Sequence, residues 1–398
     1  MVHTFSRAPL SRRFESVPSS PARDMLTLGE RVEMISFAGG LPAPETFDVT
    51  GLREAIEGLP LDAGLLQYSA SEGHPGLRSR LARHYTNSGL PTTDSDILVT
   101  NGSQQALMLL ATALVTPGDV ALVTRPTYVG AIQALGVAGA RLVEIGPGEY
   151  GVDLVELDRV AADVRPVVLY LTPTYQNPTG QTLPVDTRRR LVEIARRRGF
   201  RIIEDEPYGY LRYSGEPVPS VATFDADDPG ERVVLSMGSF SKVLAPALRV
   251  GWMRVPPDVR PTVIIAKQAA DLQTSTLTQE IVARYLAGGR LEATLDSIRD
   301  TYRTRRDAMI EALPSVLPDG SNWTTPEGGM FVWITLPTRY DAVKMLESAV
   351  RHGVAYSPGV PFYATNPERH VLRLSFTSHA PERIHDGLAR LGTVLAAG

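Results

Sequence analysis

Between residues 74 and 255 the sequence alternates short apolar runs with stretches of helical periodicity, and no other feature restricts the fold as tightly. The runs Ile97–Thr100, Val120–Thr124, Arg141–Ile145, Val167–Thr172, Arg201–Glu204, Val233–Ser236 and Arg249–Val255 have the length and composition expected of buried strands. Helical patterns are expected between them, at Gly76–Tyr85, from Ser103 to about Val115, from about Tyr128, and at Thr187–Arg198. Strands covered on both faces read as near-continuous apolar runs, and strands separated by helices join in parallel. The expected core is therefore a mostly parallel sheet with helices on both sides. After Pro256 the pattern changes to long helices reaching about Leu313. Expected strands at Gly328–Ile334 and Val371–Phe376 then flank a helix at Tyr340–His352, and a last helix follows Pro381. This part reads as a smaller α+β unit with a boundary near residue 290.

A chain of 398 residues suits two domains with a large buried core. Its 40 basic and 44 acidic side chains leave a net charge of −4, with no block rich in lysine and arginine, which argues against a nucleic-acid partner. Cysteine is absent, which removes disulfides, thiolate metal sites and thiol nucleophiles. The seven histidines show no metal-binding spacing, so no metal is expected. No run approaches the ~20 apolar residues of a membrane helix. The opening MVHTFSRAPL lacks the apolar segment of a secretory signal, so a soluble, cytoplasmic protein without a membrane partner is expected.

Only three of the 40 basic residues are lysine (Lys242, Lys267 and Lys344), and the other 37 are arginine. A guanidinium is no amine nucleophile at neutral pH, so any chemistry that needs one has three candidates. Lys242 closes Ser239-Phe240-Ser241-Lys242 just beyond an expected strand, and the spacing continues through Pro246 to Arg249 and Gly251. Hydroxyls beside a lysine, with an arginine seven residues on, suit a phosphorylated aldehyde. The amine would form a Schiff base while Ser239, Ser241 and Arg249 hold the phosphate. The competing reading is a surface lysine at a turn, which is weakened by the preference for arginine elsewhere.

Three other segments fall at expected strand ends. Asn101-Gly102-Ser103-Gln104-Gln105 opens a helix, either as an anion site of backbone N–H groups or as an ordinary cap with Ser103 at the N-cap. In Ile202-Ile203-Glu204-Asp205-Glu206-Pro207-Tyr208, strand alternation turns Asp205 away from Glu204 and Glu206. An acid at such an end, with a tyrosine three residues on, can meet a ring nitrogen and a phenolic oxygen of one heteroaromatic ring. A solvated acidic loop is the alternative. Asn177, before Pro178, is held extended and can aim its amide at a ligand, although turn chemistry alone explains the segment. Gly146-x-Gly148-x-x-Gly151 has the dinucleotide spacing, but the next expected strand ends Tyr170-Leu171-Thr172 without the required acid, so a turn is expected.

Together these motifs resemble the fold-type I, pyridoxal-phosphate-dependent aminotransferases of class I/II, and within them the subgroup of 2-aminoadipate and kynurenine aminotransferases. The resemblance runs from Ser36-Phe37-Ala38-Gly39-Gly40-Leu41-Pro42 to Arg373-Leu374-Ser375-Phe376. It implies an aspartate aminotransferase-like α/β fold: a large domain with a mixed, mostly parallel seven-stranded sheet sandwiched by helices, and a smaller α+β domain. The implied division is an N-terminal arm and small-domain segment at 1–50, a large cofactor domain at 51–290 and a small C-terminal domain at 291–398. By this resemblance Lys242 forms the internal aldimine with pyridoxal 5'-phosphate and shuttles the α-proton, and Asp205 keeps the pyridine nitrogen protonated. Asn177 and Tyr208 meet the ring hydroxyl, and Tyr128 stacks on the ring. The backbone of Ser103 and Gln104, with Ser239, Ser241 and Arg249, holds the phosphate. Tyr68 reaches the phosphate of a neighbouring subunit in a homodimer with shared active sites. Arg373 clamps the substrate α-carboxylate, with Asn177 and Gly40 beside it.

The implied activity is transfer of an amino group from an L-amino acid, long-chain, aromatic or 2-aminoadipate-like, to a 2-oxo acid such as 2-oxoglutarate by a ping-pong mechanism. Arg23 falls where the aminoadipate subgroup carries an arginine for a side-chain carboxylate, and an exposed helical arginine is the alternative. Gly39 and Gly40 are expected to leave room for long or aromatic side chains. A racemase, lyase, decarboxylase or oxidase on the same fold would use the same lysine and acid, and an aminotransferase of specialised metabolism acting on a non-protein amino acid also fits. A transcriptional regulator with such an effector domain is disfavoured, because only about 35 residues precede the Ser36–Gly40 motif.

Overall fold

The computed structural model describes Ser11, Phe14, residues 34–225 and residues 228–397. Arg23 lies outside the described residues. The strands are β1 (Ile35–Ser36), β2 (Ile97–Thr100), β3 (Val120–Thr124), β4 (Arg141–Ile145), β5 (Val168–Leu171), β6 (Arg201–Asp205), β7 (Val234–Ser239), β8 (Gly251–Arg254), β9 (Asn322–Trp323), β10 (Phe331–Thr335), β11 (Val354–Ala355), β12 (Ser357–Pro358) and β13 (Val371–Ser375). A seven-stranded sheet runs in the order β2-β8-β7-β6-β5-β3-β4. It is mixed: β8 is antiparallel to both of its neighbours, and the other pairs are parallel.

The apolar runs form this sheet because both of its faces are covered. Ala121 and Val123 of β3 pack with Leu107 and Leu110 of the helix Ser103–Leu114 and with Ala131 and Leu135 of the helix Val129–Ala138. Leu122 faces the other way, toward Leu157 of the helix Leu154–Val164 and Leu191 and Val192 of the helix Val185–Arg198. Each fully buried leucine or valine contributes about 1.5–3 kcal/mol, so the layers form a stiff platform for the loops at the strand ends. β5, β6 and β7 all end at one edge. β2, running with β7, ends there too, and the reversed β8 begins there, so Gly251 lies between Thr100 and Ser239.

Two strands extend beyond their expected ends. β6 includes Asp205, and β7 continues through Met237 and Gly238 to Ser239, because its polar residues are buried against β8. A second, antiparallel sheet has the order β12-β13-β10-β9, with Trp333 opposite Arg373. β1 pairs in parallel with β11, which sets the segment after Met34 against the C-terminal part of the chain. The helices Leu291–Val316 and Pro381–Ala396 pack on each other beside it.

Candidate active site

A cavity of about 440 Å³ opens at the shared strand edge, beneath β10 and β13. It brings together Gly40, Ser103, Gln104, Tyr128, Asn177, Asp205, Tyr208, Lys242 and Arg373, residues spread over more than 330 positions of sequence. Lys242 ends a 3-10 turn, Phe240–Lys242, that follows β7 directly. Its Nζ donates to the Gly40 carbonyl at 2.7 Å. Burial, with the positive charges of Arg373 and Arg249, brings its pKa down to about 8, so a useful fraction is neutral amine near physiological pH.

Asp205, the last residue of β6, is 4% exposed. Tyr170 of β5 donates its hydroxyl to Oδ2 at 2.7 Å, and among the described residues Oδ1 is buried with no hydrogen-bond partner. Burial lifts the carboxyl to about 7 against the opposing effect of the Tyr170 bond. The group is starved of a cationic donor. Burial and the nearby Asp205 also raise the Tyr128 hydroxyl to about 12. Glu204 and Glu206 face the other side of the sheet, as alternation requires. Glu204 accepts from Ser236 Oγ at 2.8 Å and from the Val221 and Ala222 N–H groups, and Glu206 accepts from Thr174 Oγ1 at 2.6 Å beside Arg188.

At the opposite end of the cavity, the helix Ser103–Leu114 starts from Gly102, not from Ser103: Gly102 is the N-cap, at φ 75°, and no side chain caps the helix. The first-turn N–H groups of such a helix have no intrahelical partner and favour an anion. The close approach depends on glycine at Gly251, where a Cβ would stand 2.6 Å from the Gly102 carbonyl carbon and 2.7 Å from the Ser103 nitrogen. Ser239 donates its hydroxyl to Ser241 Oγ at 2.8 Å. Arg249, in the left-handed region at φ 53°, donates Nη2 to the Asn101 carbonyl at 3.2 Å. The Arg249 guanidinium thus meets the helix start, with Ser239 paired to Gly251 beside it, although Ser239, Ser241 and Arg249 are not among the residues lining the cavity.

Arg373 on β13 is 7% exposed and crosses the site. It donates Nη1 to Asn177 Oδ1 at 2.7 Å and Nη2 to the Ala38 carbonyl at 2.6 Å. Its guanidinium lies over the rings of Phe331 and Phe362, at 4.1 and 4.9 Å from their centroids. Tyr208 lines the same cavity, and burial pushes its hydroxyl well above its ordinary value.

One expected position differs. The room expected beside Gly40 is filled, since a Cβ there would stand 2.6 Å from Phe331 Cζ; glycine is needed for contact with that ring, not for clearance. Tyr68 is 77% exposed and borders a separate hollow with Gln273 and Thr276, outside the cavity of its own chain. The glycines at 146, 148 and 151 form a turn, and Asp153 caps the helix after it. Sequence reading missed Tyr170, Phe331 and Phe362. Period-two alternation from Thr172 back to Tyr170 would have placed the tyrosine on the cavity face, but nothing local marks the two phenylalanines.

The donor set fits pyridoxal phosphate. Asp205 Oδ1 lacks the cationic N–H that a protonated ring nitrogen has, Lys242 is the amine for its aldehyde, and the uncapped helix start with Arg249 suits its phosphate.

A sequence profile described as Aminotransferase class I and II matches residues 40–391. The chain is 42% identical over 397 residues to aromatic-amino-acid aminotransferase 1 of Thermococcus litoralis, covering 97% of this chain and 93% of that protein. Among solved structures, Pyrococcus horikoshii kynurenine aminotransferase, in complex with PMP, is similar at a TM-score of 0.90 and 38% identity, covering 98% of this chain and 97% of that one. The α-aminoadipate aminotransferase of Thermus thermophilus, complexed with N-(5'-phosphopyridoxyl)-L-leucine, is similar at 0.89 and 36%, with the same coverages.

Proposed function

The chain belongs to the class I and II aminotransferases and works by pyridoxal-phosphate-dependent transamination, and on that premise we propose how its residues divide the task and which substrates it takes. Its amino donor is an L-amino acid with a long-chain, aromatic or 2-aminoadipate-like side chain, and its acceptor is 2-oxoglutarate, in a ping-pong cycle. The observation that carries the division of roles is the buried Asp205 carboxylate, one oxygen of which has no partner among the described residues.

When bound, the cofactor supplies an aldehyde and an electron-withdrawing ring that takes up the electrons of the substrate Cα–H bond. Asp205 holds the ring nitrogen in its charged form, and Tyr170 keeps the carboxylate pointed at it. Tyr128 covers one ring face. Asn177 and Tyr208, both lining the cavity, meet the ring oxygen. Ser103, Gln104, Ser239, Ser241 and Arg249 hold the phosphate. Lys242 Nζ takes the α-proton and returns it, a role suited to an amine with pKa about 8. Arg373 binds the α-carboxylate, and the two phenylalanine rings keep its planar fork aligned for a bidentate pair.

The apolar wall of Leu41, Val129, Phe331 and Phe362 supports a long or aromatic side chain, and the names of the relatives point the same way. Arg23 is the proposed partner for a side-chain carboxylate. The exposed Tyr68 supports a homodimer in which each subunit lends this residue to the other's phosphate. The division at 1–50, 51–290 and 291–398 is supported by the β1–β11 pairing and by the helix that starts at Leu291.

A panel of aromatic, long-chain and dicarboxylic amino donors against 2-oxoglutarate and pyruvate tests the reading. Equal formation of a 2-oxo acid and a new amino acid, fastest with aromatic or 2-aminoadipate donors and 2-oxoglutarate, is expected. Release of ammonia or carbon dioxide in their place, or a preference for small neutral donors, would refute it.

A further inference from the structure

Lys267, one of the chain's three lysines, is completely buried on the helix Arg260–Ala270, yet it does not line the cavity. Burying an ammonium is strongly unfavourable unless its charge is paired and its donors are used. Both conditions hold. Nζ meets Asp271 Oδ1 and Oδ2 at 3.1 Å each, Thr274 Oγ1 at 3.1 Å and Gln105 Oε1 at 3.4 Å. In a sequence that carries nearly all its positive charge on 37 arginines, a lysine here has a physical reason. A compact ammonium sends three donors in three directions, whereas a guanidinium confines its five to one plane.

Two of the groups gathered by Lys267 hold Asn101. Asp271 Oδ2 accepts from Asn101 Nδ2 at 2.7 Å, and Gln105 Oε1 accepts from the Asn101 N–H at 2.7 Å. Asn101 is fixed at side chain and backbone together. Its carbonyl receives Arg249 Nη2, and the next residue is Gly102, the uncapped helix start. Thr274 ties the same turn to β2 through the Val99 carbonyl at 3.3 Å, and Leu272 within the turn is left-handed at φ 64°. A non-glycine residue in that conformation is strained and persists where its surroundings dictate it.

We propose that Lys267 is a positioning residue for the phosphate end of the cofactor site. Through Asp271 and Gln105 it sets Asn101, and through Asn101 it sets Gly102 and Arg249 in the geometry that receives the anion. The inference rests on the assignment of that end to the phosphate.

The test compares two ligands that differ only in the phosphate. Cofactor-free wild type, Lys267→Met, Asn101→Ala and Arg249→Met are titrated by absorbance with pyridoxal phosphate and with pyridoxal. Lys267→Met and Asn101→Ala are expected to lose about 10- to 100-fold in affinity for pyridoxal phosphate, with pyridoxal changed by less than about twofold. Arg249→Met sets the pattern of a direct phosphate ligand. Equal losses on both ligands would mean general loosening and would overturn the proposal, as would an Asn101→Ala protein with wild-type selectivity while Arg249→Met loses it. If Arg249→Met also keeps the wild-type selectivity, the phosphate assignment fails and the proposal fails with it. A Lys267→Met protein that does not fold leaves the decision to Asn101→Ala, whose side chain is only half-buried.

Discussion

Replacing Asp205 with asparagine should flatten the pH dependence of the cofactor-free protein's stability between about pH 4 and 7. Burial raises this carboxyl from 3.8 to about 7. Below pH 3.8 it is neutral in the folded and the unfolded chain, and burial costs no charge. As pH rises through the window, the unfolded chain releases the proton while the folded chain keeps it. The unfolded state then binds fewer protons, so stability falls until the folded carboxyl also ionises near 7. At about 1.36 kcal/mol per pH unit the full loss is about 4 kcal/mol, of which about 2.5 kcal/mol falls between pH 5 and 8. Glu206, raised chiefly by burial, acts in the same direction, and Lys242, lowered to about 8, acts oppositely at higher pH; Lys242 cancels in the difference, and Glu206 cancels apart from the small upward push it receives from Asp205. The asparagine keeps the shape and an acceptor for Tyr170 but has no proton to lose. Urea unfolding of wild type and Asp205→Asn at pH 5, 6, 7 and 8 measures the difference. Parallel pH profiles for the two proteins would refute the claim that a carboxylate is held here short of a cation.

Lys242→Ala should abolish turnover, and borohydride treatment of the loaded protein should then leave no pyridoxyl group on the chain; labelling that persists elsewhere would displace Lys242 from its role. Arg373→Lys keeps the charge but loses the planar fork set over Phe331 and Phe362, so the KM for amino donors should rise about 10- to 100-fold with kcat within about threefold. An unaltered KM in steady-state kinetics would count against the clamp. Gly40→Ala places a methyl 2.6 Å from Phe331 Cζ, in a ring backed by Arg373, and should cost about 1–3 kcal/mol with a weaker donor affinity. A variant with unchanged Tm and KM would show that the ring can move aside.

The central sheet was legible because its strands are short apolar segments with helical stretches between them, a pattern that two-sided burial imposes directly. The reversal of β8 was not, since an apolar strand reads alike in either direction. β9, β11 and β12 span two residues each, too short to carry a period. The helix Leu291–Val316 passes the expected stop at Pro314, because in the last turn a proline forfeits one hydrogen bond while Leu313 stays buried. Within the site, Lys242, Asp205 and Arg249 were visible as charged residues at strand ends. The residues that orient them were hidden: Tyr170 looks like any aromatic in a buried strand, and the partners of Arg373, at Asn177 and Ala38, come from segments distant in sequence.

The reversed strand also sets how the two charges beyond β7 are spaced. Had β8 run alongside β7 in the same sense, the chain after Lys242 would have had to travel back about 13 Å, four residues at ~3.3 Å each, before the next strand could begin, taking Arg249 to the far rim. Because the strand doubles back, a single connection clipped between Ser239 and Gly251 delivers amine and guanidinium to the same rim. Adding or deleting a residue there would change the separation of amine and guanidinium and shift the buried Phe240, Val243, Leu244 and Val250 of the same connection. In this molecule, a length change in that connection would be read out directly as altered chemistry.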